Sequence, residues 1–283
     1  MTAQTLPNAK QALIAALVQK ELKESASLLA CVTDYSNLAV KGSKSISIPK
    51  LSSFTVQDRA FGAAASENAP LTDTVDVINL DKNKIVLFGY DAKDDVQSTI
   101  EYQANAIMRA ASAHGRQVNS DIIAMWGSVA GLSVNGGVPA DITIGAILDM
   151  REQLIKSFGD MTKAKLVIGA DQEKAMLKLP EFSRYDYRGN GASPIISGTI
   201  GFVYGVPVII NQQVGSQQAY MVEMSGSGLA FQAAPSVAEQ NELKYGTGGK
   251  LVAVDQLYGL GGLQLGEAGA AAGKSPLIAK LRD

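Results

Sequence analysis

Between Ser45 and Tyr90 the chain alternates as β-strands do, yet it carries little apolar mass to bury them. Ser45 to Lys50 reads Ser-Ile-Ser-Ile-Pro-Lys, a period-two pattern whose Pro49 places its end at a sheet edge. Leu51 to Thr72 is polar, small and irregular. Thr74–Leu80 and Lys84–Tyr90 are β-rich runs around Asp81-Lys82-Asn83, which predicts a turn. An isolated hairpin is marginal in water and must lie against other protein. Residues 1–90 are therefore expected to lack the apolar surface to fold back on their own body, so that sister molecules clasp them.

The segment before this hairpin predicts a helix from Asn8 to Leu29, opened by Pro7 and Asn8. Ile14, Leu17, Val18, Leu22, Ala26 and Leu29 form one apolar stripe, while Lys10, Lys20, Lys23 and Glu24 lie on the other face. Ala12–Val18 is too short and too quickly followed by charge to read as a secretion signal. Residues 1–50 carry six lysines against three acids, and residues 51–100 carry four basic residues against eight acids. Such neighbours of opposite sign attract, within one chain or between chains.

A helix is predicted from Asp95 to Ala113, with Asp94 as N-cap, Gln97 three residues on and Gly115 as its end. Val96, Ile100, Ala104, Ile107, Met108 and Ala111 line its apolar face. A short helix Ser120–Trp126 should follow, stopped by Gly127, and then a Gly-rich linker over 127–140. A third helix, Ile142–Phe158, should turn Ile144, Ile147, Leu148, Leu154, Ile155 and Phe158 inward and end at Gly159. Lys165–Gly169 reads as a buried strand, and Asp171 as the cap of a short helix ending before Pro180. Strands and turns alternate over Ile195–Asn211, and further strands are expected at 219–224, 229–233, 237–245 and 251–258, with Gly246–Gly249 turning between the last two.

Composition removes several function classes. A net charge of −2 in 283 residues is a poor basis for sequence-independent DNA binding. One cysteine, Cys31, and one histidine, His114, exclude an internal disulfide, a cysteine metal cluster and a multi-histidine site. No run of 18 apolar residues suggests a membrane helix. Charged residues are only 18%, below the ~25% of typical soluble domains, so sister subunits are one way to cover the remaining surface.

The apparent chemical motifs fail on inspection. Gly246–Lys250 lacks the first glycine and the Ser or Thr of a phosphate loop, and Gly259, Gly261, Gly262 and Gly266 do not fit a dinucleotide fingerprint. Ser225 and Ser227 lack the glycine two residues before a nucleophile elbow. His114 is expected to be a surface or interface histidine, at the frayed end of its helix. Asp94 and Asp95 read as helix caps, and Trp126 as core. Tyr185, Tyr187 and Arg188 could stack on a base, but a subunit contact suits them better. No catalytic, cofactor or metal residue emerges. What remains is a compact body of helices and strands with two extended appendages.

In order, a helical arm is followed by Gly42-Ser43-Lys44-Ser45-Ile46-Ser47-Ile48-Pro49, then a hairpin through Asn79-Leu80-Asp81-Lys82 and Val86-Leu87-Phe88 into the Asp91–Ala113 helix. Lys165–Ile168 with Ala175-Met176-Leu177, the strand pair Ile196–Val208, and Leu257-Tyr258-Gly259 come later. This sequence of elements resembles the major capsid proteins of tailed bacteriophages, the Hong Kong 97-type fold. The resemblance implies an α+β chain with an N-terminal arm (1–44) and an extended E-loop hairpin (45–90). It further implies a peripheral P domain built on a long spine helix (91–135 and 234–257) and an axial A domain (136–233 and 258–283). The function implied is self-assembly into pentamers and hexamers of an icosahedral shell around double-stranded DNA, without sequence-specific DNA binding, membrane or cofactor.

Since the E-loop strand begins by residue 45, any scaffold is expected to be a separate protein, as are portal and cement proteins. No position licenses the Lys–Asn cross-link of some members. Subunit contacts are expected at Ile14, Leu17, Leu22, Pro49, Arg59, Phe61 and Glu67. Three other readings stay open: an encapsulin-type compartment shell, a hydrolase using Ser225 or Ser227 with His114, and a monomeric binding module using Tyr185–Arg188.

Overall fold

The computed structural model describes residues 26–51, 58–59, 61–62, 73–91, 102–134, 141–157, 159–179, 201–241, 249–264 and 275–281. Two sheets organise them. One is five-stranded, in the order β1-β9-β10-β3-β2, and contains β1 (Thr33–Asp34), β2 (Ser45–Leu51), β3 (Asp73–Tyr90), β9 (Ser227–Asn241) and β10 (Lys250–Gly262). The other is six-stranded, in the order β4-β11-β8-β5-β7-β6. Its strands are β4 (Ala130–Ser133), β5 (Ala164–Ile168), β6 (Phe202–Val203), β7 (Val206–Ile210), β8 (Ala219–Glu223) and β11 (Ser275–Lys280). Three helices pack on these sheets: α1 (Tyr102–Val129), α2 (Ile144–Lys156) and α3 (Ala170–Lys178).

The six-stranded sheet is buried on both faces, so its central strands are almost unbroken apolar runs. On β5, Leu166 and Ile168 join a core with Ile147, Met150 and Leu154 of α2 and Met176 of α3. Val167, between them, points the other way, into a core with Val118, Ile122 and Trp126 of α1. Strand β8 divides in the same manner, Met221 to the first core and Tyr220 with Val222 to the second. The second core also holds Leu229 of β9 and Tyr258 of β10. Helix α1 is thus the wedge between the two sheets. Trp126 is fully buried there, its ring centroid 5.9 Å from that of Tyr220.

Further along α1, Ile107, Ala110 and Ala111 pack on Val252 and Val254 of β10. The sequence expectation of two helices broken at Gly115 is corrected here. Residues 102–129 form one helix of 28 residues, about 42 Å long. Gly115 is buried mid-helix, and the ~1 kcal/mol penalty of a helical glycine is outweighed by packing. His114 is likewise buried, not frayed at the surface, with Nε2 2.9 Å from the Val254 carbonyl oxygen. Asn119 lies inside the helix and accepts a hydrogen bond from the Leu28 N–H through Oδ1. The expected linker is in part the end of α1 and in part β4.

The turn expected at Asp81–Asn83 is also absent. Strand β3 runs 18 residues without a break because β10 pairs through it, Lys82 opposite Tyr258 and Asn83 opposite Leu257. The hairpin is instead β2 against β3, in register from Ser45–Asn79 to Leu51–Asp73, with β2 at the sheet edge as Pro49 implied. The run 229–233 and the described part of 237–245, up to residue 241, are joined in β9, and β11 was not anticipated. On α2 the buried residues are Ala146, Ile147, Met150 and Leu154, while Leu148 and Ile155 face solvent. Ser157 is the C-cap of α2, and Gly159 donates its N–H back to the Leu154 carbonyl in a Schellman-type closure. Gly169, not Asp171, is the N-cap of α3. The expected N-terminal helix lies outside the described residues up to residue 25, and its last residues belong instead to a short 3-10 turn, Ser27–Cys31; the helix start at Asp94 also lies outside them.

The expectation that residues 1–90 find no purchase on their own body is overturned for the part that is described. Leu28, Cys31 and Val32 are buried in the α1 core, and β1 pairs with β9. Ile46 and Ile48 of β2 are buried with Ile78, Leu80, Ala230 and Leu263. Little apolar mass suffices because glycines bring the backbones close. A Cβ on Gly259 would lie 2.2 Å from the Asn79 carbonyl oxygen, and one on Gly262 would lie 2.7 Å from a Val129 methyl. The glycine-rich run that mimics a nucleotide fingerprint is thus where β10 presses on β3 and α1.

Gly259→Val forces backbone against backbone, with no flexible side chain to yield. We expect a loss of about 3 kcal/mol or more in urea unfolding, at the upper end for overpacking. An unchanged midpoint contradicts this packing.

Candidate functional site

The alternation along β3 leaves one face without cover. Ile78, Leu80, Val86 and Phe88 turn toward α1 or the β2 core. The alternate residues Val75, Val77, Ile85 and Leu87 are exposed at 56%, 46%, 63% and 57%. On neighbouring strands, Ala253 lies opposite Leu87, Asp255 opposite Ile85, and Ala238 opposite Ala253. The outer face therefore has an apolar patch at each end and the polar Asn79, Asp81 and Asn83 between them. A sheet face of this length normally packs on something.

Three of the seven residues expected at contacts lie among the described residues. Pro49 is exposed on β2, directly opposite Val75. Arg59 and Phe61 lie between Leu51 and Asp73 in the sequence, both exposed, Phe61 at 111%. Gly62 next to it has φ +83°, a left-handed backbone suited to glycine. Ile14, Leu17, Leu22 and Glu67 lie outside the described residues. The exposed half of β3 was missed in the sequence, although the odd-numbered Val75, Val77, Ile85 and Leu87 carry the signal once the strand is known to be continuous.

The base of this surface is locked to the body through Asp121 of α1. Tyr258 donates its hydroxyl to Asp121 Oδ2 at 2.6 Å, and Gln117 donates to Oδ1 at 3.0 Å. Lys84 of β3 lies 3.8 Å away. Burial and then the Asp121 hydrogen bond push the Tyr258 hydroxyl well above its ordinary pKa. The segment after Ala26 is tied across both sheets, since Asn211 donates to Ser27 Oγ, Lys165 donates to the Ala30 carbonyl, and the Tyr35 N–H donates to the Leu229 carbonyl.

Catalytic geometry is not assembled by the residues weighed for it. His114 engages Val254, Ser225 donates to Glu223, and Ser227 is buried with no hydrogen-bond partner for its hydroxyl. Tyr185, Tyr187 and Arg188 lie outside the described residues. A cleft of about 190 Å³ beside α3 is lined by Asp141, Asp171, Lys174, Lys178 and Ser216, a balanced set of charges with no nucleophile–base pair. Among the described residues no three metal-ligating side chains come together, and no helix is long and apolar enough to cross a membrane.

Cys31 is the one thiol, and burial pushes its pKa up to about 11, against a smaller opposing pull from Lys165. The folded value lies above the ordinary 9.0, so the native state holds this proton longer. Stability is unaffected below that pH and is lost as pH rises toward the folded value. Near pH 8 the native thiol should react with a thiol reagent about a hundredfold slower than in denaturant. Equal rates would place Cys31 at the surface.

No protein-family profile matches the chain, and no curated protein matches it. Solved structures do. A chain of Mycobacterium phage Che8 aligns over 89% of this chain and 89% of its own, with 20% identity and a TM-score of 0.71. The capsid of Cyanophage P-SCSP1u aligns over 89% and 86%, with 12% identity and a TM-score of 0.67. The mature capsid of bacteriophage PhiM1 aligns over 89% and 85%, with 13% identity and a TM-score of 0.66. At these identities the likeness speaks to the path of the backbone, which is mixed α+β. The chain has the fold of phage capsid structures.

Proposed function

We propose that the chain is the major capsid protein of a tailed phage, self-assembling as pentamers and hexamers into an icosahedral shell that encloses double-stranded DNA. The observation that carries this reading is the shared fold across 89% of the chain with capsid structures. In this reading residues 1–44 are the arm and 45–90 the E-loop. Residues 91–135 and 234–257 make the peripheral domain around α1, and residues 136–233 and 258–283 make the axial domain. Pro49, Arg59 and Phe61, with Ile14, Leu17, Leu22 and Glu67, make subunit contacts. The chain's partners are copies of itself, with separate scaffolding, portal and cement proteins, and its place is the virion, after assembly in the host cytoplasm.

Two physical features support it. An interface on the order of 1,600 Å² per contact suffices when each subunit makes several in a closed lattice. A net charge of −2 avoids the strong counterion-release binding that would hold packaged DNA to the wall. No cofactor, metal or catalytic residue enters the role.

Expression of the full chain followed by electron microscopy and sedimentation tests the reading. The expected outcome is closed particles or rings of five and six. A species that stays monomeric across protein concentration, salt and crowding agent overturns it.

A further inference from the structure

We propose that the cleft beside α3 seats the charged run Lys20–Glu24 of the same chain, so that the segment before Ala26 is held on its own body by its charges. This contact lies within one chain and does not depend on the shell reading. The cleft is lined by Asp141, Asp171, Lys174, Lys178 and Ser216. Asp171, Lys174 and Lys178 are spaced by three and four residues, so one face of α3 presents an acid followed by two cations. Asp171 Oδ2 accepts a hydrogen bond from the Ser216 hydroxyl at 2.8 Å. Asp141, Lys174 and Lys178 are exposed and pair with none of the described residues. Walls of both signs select an occupant of both signs, since a simple anion meets two aspartates there and a simple cation meets two lysines. Residues 20–24, Lys-Glu-Leu-Lys-Glu, are such an occupant. Helical spacing puts Lys20, Lys23 and Glu24 on one face, with two cations for Asp141 and Asp171 and an acid for the two lysines.

The path of the chain leads to this cleft. Helix α3 begins at Ala170, just past the end of β5, and the Asn211 N–H donates to the Ile168 carbonyl at that same end. Asn211 also donates to Ser27 Oγ at 3.0 Å, which fixes Ser27 at the end of the sheet where α3 starts. The loop after Asn211 joins the two places. It is folded by bonds from the Val214 N–H to the Asn211 carbonyl and from the Gln218 N–H to the Gly215 carbonyl. It also lies so close to Gly169, the N-cap of α3, that a Cβ there would stand 3.0 Å from the Val214 carbonyl oxygen. Asn211 and Ser216 are five residues apart, at most about 18 Å. Lys23 precedes Ser27 by four residues and Lys20 by seven, which gives up to about 14 Å and about 25 Å of extended chain. The chain's own charges therefore reach the cleft. Exposed ion pairs are individually weak, but a tether of a few residues gives them an effective concentration on the order of millimolar. Seating the charged face also leaves Ile14, Leu17 and Leu22, on the other face, turned away from the cleft.

The test uses three full-length variants: Lys23→Cys, Asp141→Cys, and the two together, each treated in dilute solution with a short thiol-to-thiol reagent. Cys31 is buried and does not compete. The double variant should link within one chain, read by mass spectrometry as a single-chain mass and a cross-linked peptide joining the two positions. A mixture of the two single variants should give no linked dimer. Linked dimers from the mixture mean that a second copy fills the cleft, and they overturn the inference. A double variant that does not link overturns it too. Trypsin gives a second measurement on the native fold. Asp141→Lys, at an exposed position, sets a cation against Lys20 and Lys23, so cleavage after these two lysines should be about tenfold faster than in the wild-type chain, with thermal unfolding unchanged. Equal cleavage of the two chains overturns the contact.

Discussion

The structure depends on how α1 is used. One helix fills the angle between two sheets, and its buried side chains serve both: Val118, Ile122 and Trp126 touch β5, β8 and β11 on one side and β9 and β10 on the other. The six-stranded sheet has α2 and α3 for its second face. The five-stranded sheet has no second helix among the described residues, and its outer face remains bare along β3. A monomer that satisfies its core completely can thus still leave a long, half-apolar surface. What looks like a shortage of apolar residues in the sequence is a consequence of covering a sheet on one side only.

This distribution explains what could be read from the sequence and what could not. Elements bounded by local signals were legible: β2 with its edge Pro49, the β5–α3 step, the β8 strand and the α2 helix with Gly159 near its end. So was the fold as a whole, because the order of weak segments is informative even where each one is not. Errors arose where a local breaker was overruled from a distance. Gly115 and Gly127 looked like helix ends, but α1 passes through both because its flanks are buried against two sheets. Asp81-Lys82-Asn83 looked like a turn, but the neighbouring strand β10 holds those residues extended. Strand β11, completely buried with one parallel and one antiparallel neighbour, has no alternation to announce it.

The surface was less legible than the fold. Pro49 and Phe61 stand out from their own neighbours, as an edge proline and an aromatic in a polar stretch. Ile85 and Leu87 do not, because Ile85-Val86-Leu87-Phe88 reads as one hydrophobic run and only the register with β10 shows which half faces out. His114 illustrates the converse. A lone histidine beside a glycine has the sequence signature of an exposed helix end, and its burial against Val254 follows from the continuity of α1.

Glycine placement ties these points together. Gly228, Gly259, Gly261 and Gly262 stand where β9 and β10 press on Tyr35, β3 and α1, so close that a Cβ at each would fall within 3.0 Å of a neighbouring heavy atom. Close backbone approach lets short side chains such as Ala230 and Ala110 fill a core that would otherwise need large ones. It also stiffens the junction of β3 with the body, together with the Tyr258–Asp121 hydrogen bond. A stiff base matters for a hairpin that is to meet another molecule. Free rotation at the root would spread its tip over many positions, and each intermolecular contact would then cost the entropy of fixing it. With the root fixed by backbone packing, that cost is met during folding of the single chain, and under the proposed function weak contacts along the hairpin would suffice.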